Sequence, residues 1–329
     1  MPGKGDGKMD VRWALEQILD GRELTGDEAR PLLDWPLDRI AELARAALVL
    51  KERRFPGRVQ FCAIVNAKSG TCSEDCAFCA QSAHYQTNSP EYPLLDEERV
   101  LDAALRMKRA GARRFSIVTS GKGLGAEDLS RVAHMVKAIR DLDLIPDASL
   151  GVLDLDQLIA LRQAGLAGYH HNLETARSFF LQVCTTHDYE EDVAVVQAAR
   201  EAGLYVCSGG IFGLGESWEQ RLELALTLRS LSVDSVPINF LAPIPGTPCA
   251  DRPPLSPEEA LKIVALYRFI LPRAHIRICG GRERVFGPRK AELLESGASG
   301  IMVGDYLTTK GSSLESDQED LRVLGLALS

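Results

Sequence analysis

From about residue 58 onward the chain repeats one unit, a short run rich in β-branched or aromatic residues followed by an amphipathic helical stretch. The strand-like runs are VQFCAIV, RRFSIVT, LIPDASLG, AGYHHNL, YVCSGGI, DSVPINF, HIRICG and GIMVG. Between them lie helical patterns such as EDLSRVAHMVKAIRDL, DVAVVQAAREAG, WEQRLELALTLRSL and PEEALKIVALYRFI. Strands that alternate with helices pair in parallel, because each helix carries the chain back to the same end of the sheet. Eight such units over about 250 residues are the size of a (β/α)8 barrel. A partly open six-stranded sheet with two extra units has the same pattern.

Ahead of this repeat, residues 10–54 read as helices. VRWALEQILDG carries apolar residues at helical spacing and a glycine stop, Thr25 with Glu28 forms a capping-box pattern, and DRIAELARAALVLKERR is amphipathic. Preceding the first strand, they are expected to pack outside the barrel. Residues 1–9 are Gly- and Lys-rich without an apolar stretch and read as a disordered leader. The expected division is therefore a leader at 1–9, helices at 10–54 and the barrel at 55–329.

The chain of 329 residues has a net charge of −8, whereas a general nucleic-acid binder has a basic excess. No apolar run approaches the roughly 20 residues of a membrane span. Eight cysteines without a secretory signal fit a reducing, cytoplasmic setting better than a disulfide scaffold.

Three of those cysteines, Cys72, Cys76 and Cys79, crowd into NAKSGTCSEDCAFCAQSAHY with the spacing Cys-x3-Cys-x2-Cys. Three thiolates hold three irons of a [4Fe–4S] cube and leave the fourth iron open to a small molecule. This is the arrangement used by radical S-adenosylmethionine (SAM) enzymes, in which SAM chelates the open iron. A structural zinc would need a fourth ligand, with His84 or Cys62 as candidates, and more often shows paired Cys-x2-Cys knuckles. Inert packing cysteines sit in apolar runs, not in a loop this rich in Ser, Asp, Glu and Gln.

The remaining polar residues follow the strands. NAKSG, TSGKG, HHNLET, SGG with GLGE, and NFLAPIPGTP come at strand ends, where barrels carry their chemistry. His171, Asn172, Cys207, Asn239 and Arg277 fall inside or directly after strands and are costly to bury without a partner or ligand.

The motifs NAKSGTCSEDCAFCAQSAHY, HHNLET, VCTTH, VCSGGIFGLGE, PINFLAPIPGTP and GGRE, in this order, resemble biotin synthase and its close relatives from about residue 40 to the C-terminus. The resemblance implies a radical SAM enzyme with a [4Fe–4S] cluster on Cys72, Cys76 and Cys79, which inserts sulfur from an auxiliary Fe–S cluster into dethiobiotin. It implies that Ser120 and Gly121, within the Thr119–Gly123 run, line SAM, that Asn172 contacts SAM and substrate, and that Glu174 binds the SAM ribose. Asn239 matches a substrate-pocket asparagine, and His170 stands in the substrate pocket where the best-known members have asparagine. A flavodoxin- or ferredoxin-type electron donor and a homodimer are implied as well.

Two departures concern the auxiliary cluster, held in the well-known enzymes by three cysteines and an arginine. Cys207 and Arg277 match two of those ligands, but Ser116 and Asp147 stand where the other cysteines belong, and neither replaces a thiolate well. The expectation is a different, four-iron site on Cys62, Cys184 and Cys207, completed by Arg277 or Cys279. Cys249 reads as a loop thiol without a role.

Biotin synthase chemistry is therefore the leading reading. Rival readings are sulfur insertion into an octanoyl chain on a carrier protein, a related radical SAM reaction without sulfur insertion, and a cluster-carrying redox module without substrate.

Overall fold

The computed structural model describes residues 10–329, so the expected leader lies outside the described residues. Eight parallel staves close into a barrel. They are β1 (Arg58–Lys68), β2 (Arg114–Thr119), β3 (Ile145–Ser149), β4 (Gly168–His170), β5 with β6 (Tyr205–Cys207 and Gly210–Phe212), β7 (Ser235–Phe240), β8 (His275–Ile278) and β9 (Gly300–Met302). Each pairs with the next, and β9 returns to β1 through Gln60↔Gly300 and Cys62↔Met302. The alternative of an open sheet is thus set aside, and all eight strand-like runs of the sequence are staves. A short β10 (Ala327–Leu328) adds to the start of β1.

Three helices, α1 (Val11–Leu19), α2 (Gly26–Leu33) and α3 (Ile40–Arg54), precede β1. The crossovers carry α4 (Glu97–Arg109), α5 (Ala126–Asp141), α6 (Leu155–Ala164), α7 (Tyr189–Glu201), α8 (Trp218–Ser230) and α9 (Pro257–Ile270). α10 (Arg282–Phe286) and a 3-10 segment (Gly287–Ser296) follow β8, and α11 (Leu314–Val323) follows β9. The expected Thr25–Glu28 capping box is formed, each residue's side chain accepting from the other's backbone N–H. α9 is apolar almost all round and is buried from Ala260 to Ile270, as befits a helix covered on both sides. Its Lys262 ammonium donates to the carbonyls of Leu33 and Trp35, which pins the N-terminal helices outside the barrel wall.

Side-chain alternation sorts the staves into two faces. Outward residues such as Phe61, Phe115, Ala148, Tyr169, Val206, Val236, Ile276 and Ile278 build the apolar layer beneath the helices. Inward residues are largely polar: Gln60 and Cys62 on β1, Arg114 and Ser116 on β2, Asp147 on β3, His170 on β4, Tyr205 and Cys207 on β5, and Arg277 on β8. A plain barrel fills this space with branched apolar side chains. Here a cavity of about 440 Å3 remains.

Candidate active site

The cavity opens at the C-terminal ends of the staves, where the loop after β1 brings in the three cysteines. The chain turns there through Gly70 and Thr71, with φ of 82° and 50°, and the left-handed threonine costs strain. Cys72 N–H donates to Gln81 O (3.0 Å), Ala83 N–H to Cys72 O (2.8 Å) and Cys79 N–H to Cys76 O (2.9 Å), which folds the loop onto itself. Cys72, Cys76 and Cys79 are free thiols that all line the cavity. Burial pushes the Cys79 thiol up to about 11, with Cys72 adding to the shift. Three thiols that face one space are a donor set suited to a strongly cationic centre. They fit three corners of an iron–sulfur cube.

A second segment clasps this loop. Ala77 N–H donates to Val183 O (2.8 Å), and Asp75 accepts from the backbone of Thr185 (2.8 Å) and Thr186 (3.3 Å), the Thr185 hydroxyl and the Cys184 thiol (3.2 Å). Burial alone would raise the Asp75 carboxyl, but these donors hold it well below its usual range. Glu74 accepts from the Thr186 hydroxyl (2.8 Å) and lies 2.6 Å from His187 Nδ1, while His187 Nε2 is 3.3 Å from Asp192. Asp192 first, then Glu74, raises His187 to about 9 and makes it the cation between two carboxylates. Glu74, Cys184 and His187 do bring one donor atom each within 4.8 Å of one another. Because both ring nitrogens of His187 face carboxylates, the cluster is an ion-paired clasp and not an open metal site.

It is with this clasp, and not with Cys62 and Cys207, that Cys184 packs. Its thiol adjoins that of Cys76 and faces Asp75, Thr186 and His187. The expected grouping of Cys184 with the interior cysteines is therefore not formed, because the hydrogen-bonded 183–187 segment holds it at the barrel rim.

Beyond β4, His171 Nε2 lies 2.8 Å from Asp192, so this half-buried histidine has its partner. Asn172 accepts from Gly209 N–H (3.2 Å) and donates weakly to Glu174 (3.4 Å). Glu174 adopts φ of 59°, and burial, with Asp192 adding, lifts its carboxyl to about 8. A buried carboxyl with one weak partner suits a ligand bearing paired hydroxyls. Ser120 spends its hydroxyl on Gly70 O (2.8 Å), and Gly121 turns the loop with φ of 107°. Both line the cavity, as do Asn172 and Glu174.

Deeper in the barrel, Cys62 on β1, Cys207 on β5, and Arg277 and Cys279 at the end of β8 all line the cavity. Arg277 donates to Ser235 Oγ (2.7 Å), Gln60 Oε1 (2.8 Å) and Tyr205 Oη (3.3 Å). Burial pushes Cys207 up to about 11 and Cys279 higher still, against the pull of Arg277. Among the described residues the buried Ser116 hydroxyl has no hydrogen-bond partner, and Asp147 is taken up by Arg114 and His170. Asn239 is braced by Gly210 O (3.3 Å) and Gly280 N–H (3.0 Å).

Sequence alone did not mark several residues around the site. Arg114, which supports the cavity-lining Asp147, lies two residues before Ser116 in the same strand, so alternation could have placed it inside. The strap Tyr306–Thr309 also lines the cavity, and Leu307 O accepts from Asn66 (3.0 Å). It lies beyond the last stave in a segment with no motif to announce it. Glu283 anchors the strap by accepting from Tyr306 Oη (2.9 Å) and from Ser312.

Comparison with known proteins agrees with this geometry. The radical SAM superfamily model matches residues 67–228, and the biotin and thiamin synthesis associated domain matches 237–327. A biotin synthase of Geobacter sulfurreducens is 51% identical over 95% of each chain. One of Pelotomaculum thermopropionicum is 48% identical over 95% of this chain and 98% of its own. Among solved structures, methylornithine synthase superposes with a TM-score of 0.84 at 20% identity, covering 96% of this chain and 97% of that one. The hydrogenase maturase HydG from Carboxydothermus hydrogenoformans gives 0.81 at 20% identity, covering 97% and 79%. At such identity these two likenesses speak for the fold.

Proposed function

The chain belongs to the biotin synthase family of radical SAM enzymes, and on that premise we propose that it converts dethiobiotin to biotin by inserting sulfur at unactivated C–H bonds. The observation that carries this reading is a single cavity with the three-cysteine loop at its mouth and Cys62, Cys207, Cys279 and Arg277 on its inner wall. A small substrate held between them faces both sites at once.

Cys72, Cys76 and Cys79 hold a [4Fe–4S] cluster, and Ser120, Gly121, Asn172 and Glu174 receive SAM. When bound, these groups supply one-electron cleavage of SAM and a radical able to take hydrogen from carbon. An auxiliary Fe–S cluster is held by Cys62, Cys207 and Cys279 with Arg277. Arg277 is braced by Ser235, Gln60 and Tyr205, which fixes its guanidinium before any ligand arrives. His170, Asn172 and Asn239 orient the substrate, and the strap from Tyr306 to Thr309 keeps water from it.

The test is anaerobic reconstitution with iron and sulfide, followed by SAM, a strong reductant and either dethiobiotin or an octanoyl-lysyl carrier peptide. Biotin in the first arm supports the reading. Thiolated octanoyl product, or deoxyadenosine with neither product, overturns it. Cys207→Ala should separately lower iron content by about four atoms per chain while sparing the loop cluster.

A further inference from the structure

Asp147 and His170, which stand where the best-known enzymes of the resemblance have a cysteine and an asparagine, meet in space. β3 and β4 are neighbours, with Asp147 opposite Gly168. His170 Nε2 lies 3.3 Å from Asp147 Oδ2. Arg114 grips the same carboxylate with both arms of its fork, Nε to Oδ2 at 2.7 Å and Nη2 to Oδ1 at 2.6 Å. The guanidinium also lies 4.1 Å from the Tyr205 ring centroid.

The site is built for this pair. A Cβ on Gly168 would lie 2.6 Å from Asp147 Oδ1 and 2.8 Å from Arg114 Nη2, so only glycine leaves room for it. Asp147 is 1% exposed. Burial by itself would raise its carboxyl, but the Arg114 charge wins and holds it ionised far below its usual range. An ionised carboxylate only accepts hydrogen bonds. In its neutral form the imidazole of His170 turns its N–H toward Asp147 at Nε2, and this leaves a bare lone pair on Nδ1. Among the described residues Nδ1 has no hydrogen-bond partner, and His170 lines the cavity.

We propose that Arg114 and Asp147 are positioning residues that lock His170 in its Nε2–H form, so that Nδ1 accepts a hydrogen bond from an N–H group of the substrate. On the function proposed above, on which this inference rests, that group is a ureido N–H of dethiobiotin. An asparagine amide at position 170 can offer a donor or an acceptor. The locked histidine offers an acceptor only, so the pocket selects for N–H and against a ring oxygen at the same place.

The experiment is calorimetric binding of dethiobiotin, and of its cyclic carbamate analogue with oxygen in place of one ureido N–H, to the SAM-loaded holoenzyme. Wild type should prefer dethiobiotin. Asp147→Asn presents an amide that can donate to Nε2 and release the other tautomer, whose Nδ1–H donates. It should weaken dethiobiotin about ten- to a hundredfold while sparing or strengthening the carbamate. In a His170→Asn background the same change should have little effect. Arg114→Lys keeps the charge but loses the fork, and should show the same shift in weaker form, which covers a failure of Asp147→Asn to fold. Equal losses for both ligands, or an undiminished loss in the His170→Asn background, would overturn the proposal. Failure of wild type to bind dethiobiotin would instead overturn the function on which it rests.

Discussion

Gly168→Ala tests the floor of the barrel with one methyl group. The added carbon would lie 2.6 Å from Asp147 Oδ1, 2.8 Å from Arg114 Nη2 and 3.0 Å from the carbonyl oxygen of Tyr205. The carbonyl belongs to a paired stave and cannot retreat, so the ion pair must open. Overpacking alone costs about 1–3 kcal/mol. Separating a buried pair, so that each charge loses its partner, costs about 3–5 kcal/mol. The Arg114 side chain keeps 13% of its exposure, and water can partly replace what it loses. A total near the low end of the two terms together, about 4 kcal/mol, is therefore expected. Equilibrium urea unfolding of the cluster-free protein, checked for coincidence of fluorescence and circular dichroism, measures it as a lower midpoint at unchanged slope. The same alanine in an Arg114→Ala, Asp147→Ala background should cost clearly less, about 1 kcal/mol, because the pair is gone and only the Tyr205 carbonyl still crowds the added carbon. A loss below about 1 kcal/mol in the wild-type background, or equal losses in both, would refute the claim that position 168 is glycine for the sake of the pair.

Glu174 gives a pH signature. Its folded value of about 8 lies above the ordinary 4.5, so the unfolded chain releases this proton first. Stability of the SAM-free protein should fall as pH rises from about 4.5 to 8, by an amount on the order of a few kcal/mol, and Glu174→Gln should flatten that slope in urea titrations. Cys184→Ala should leave the iron content of both sites unchanged by elemental analysis and Mössbauer spectroscopy, since Cys184 stands in the clasp; loss of iron from the inner site would restore it as a ligand. Asp317→Asn should destabilise by about 3–5 kcal/mol in urea unfolding, because Arg282 (2.6 Å) and Lys290 (2.9 Å) both pair with that buried carboxylate. A loss within 1 kcal/mol would mean that solvent reaches the pair.

The staves were legible because period-2 burial and helical crossovers leave a direct mark in the sequence. The cysteine triplet was legible because its ligands lie within one turn of loop. What failed to show was which inward residues share a height. Alternation states that Arg114, Ser116, Asp147 and Cys207 face inward, but barrel tilt and register decide that Arg114 on β2 reaches Asp147 on the neighbouring β3. For the same reason His170 and Asp147 looked like two separate anomalies. Cys184 was misplaced because its position depends on hydrogen bonds that Asp75, 109 residues earlier, accepts from it and its neighbours, and no local pattern records a tether of that length. Nothing in the strap after β9 hints that it bends back over the cavity, because its residues are those of any polar loop.

The clasp between Asp75 and the 184–186 segment also sets a timescale. Loops ordinarily fray alone and sit at the low end of local stability. The cysteine loop cannot, since opening it means releasing Asp75 from Thr185 and Thr186 and Glu74 from His187 together. Metal held there should escape at the rate of that larger, concerted opening. The lifetime of the loaded enzyme in air or chelator is then governed at the threshold of α7, away from the cysteines themselves.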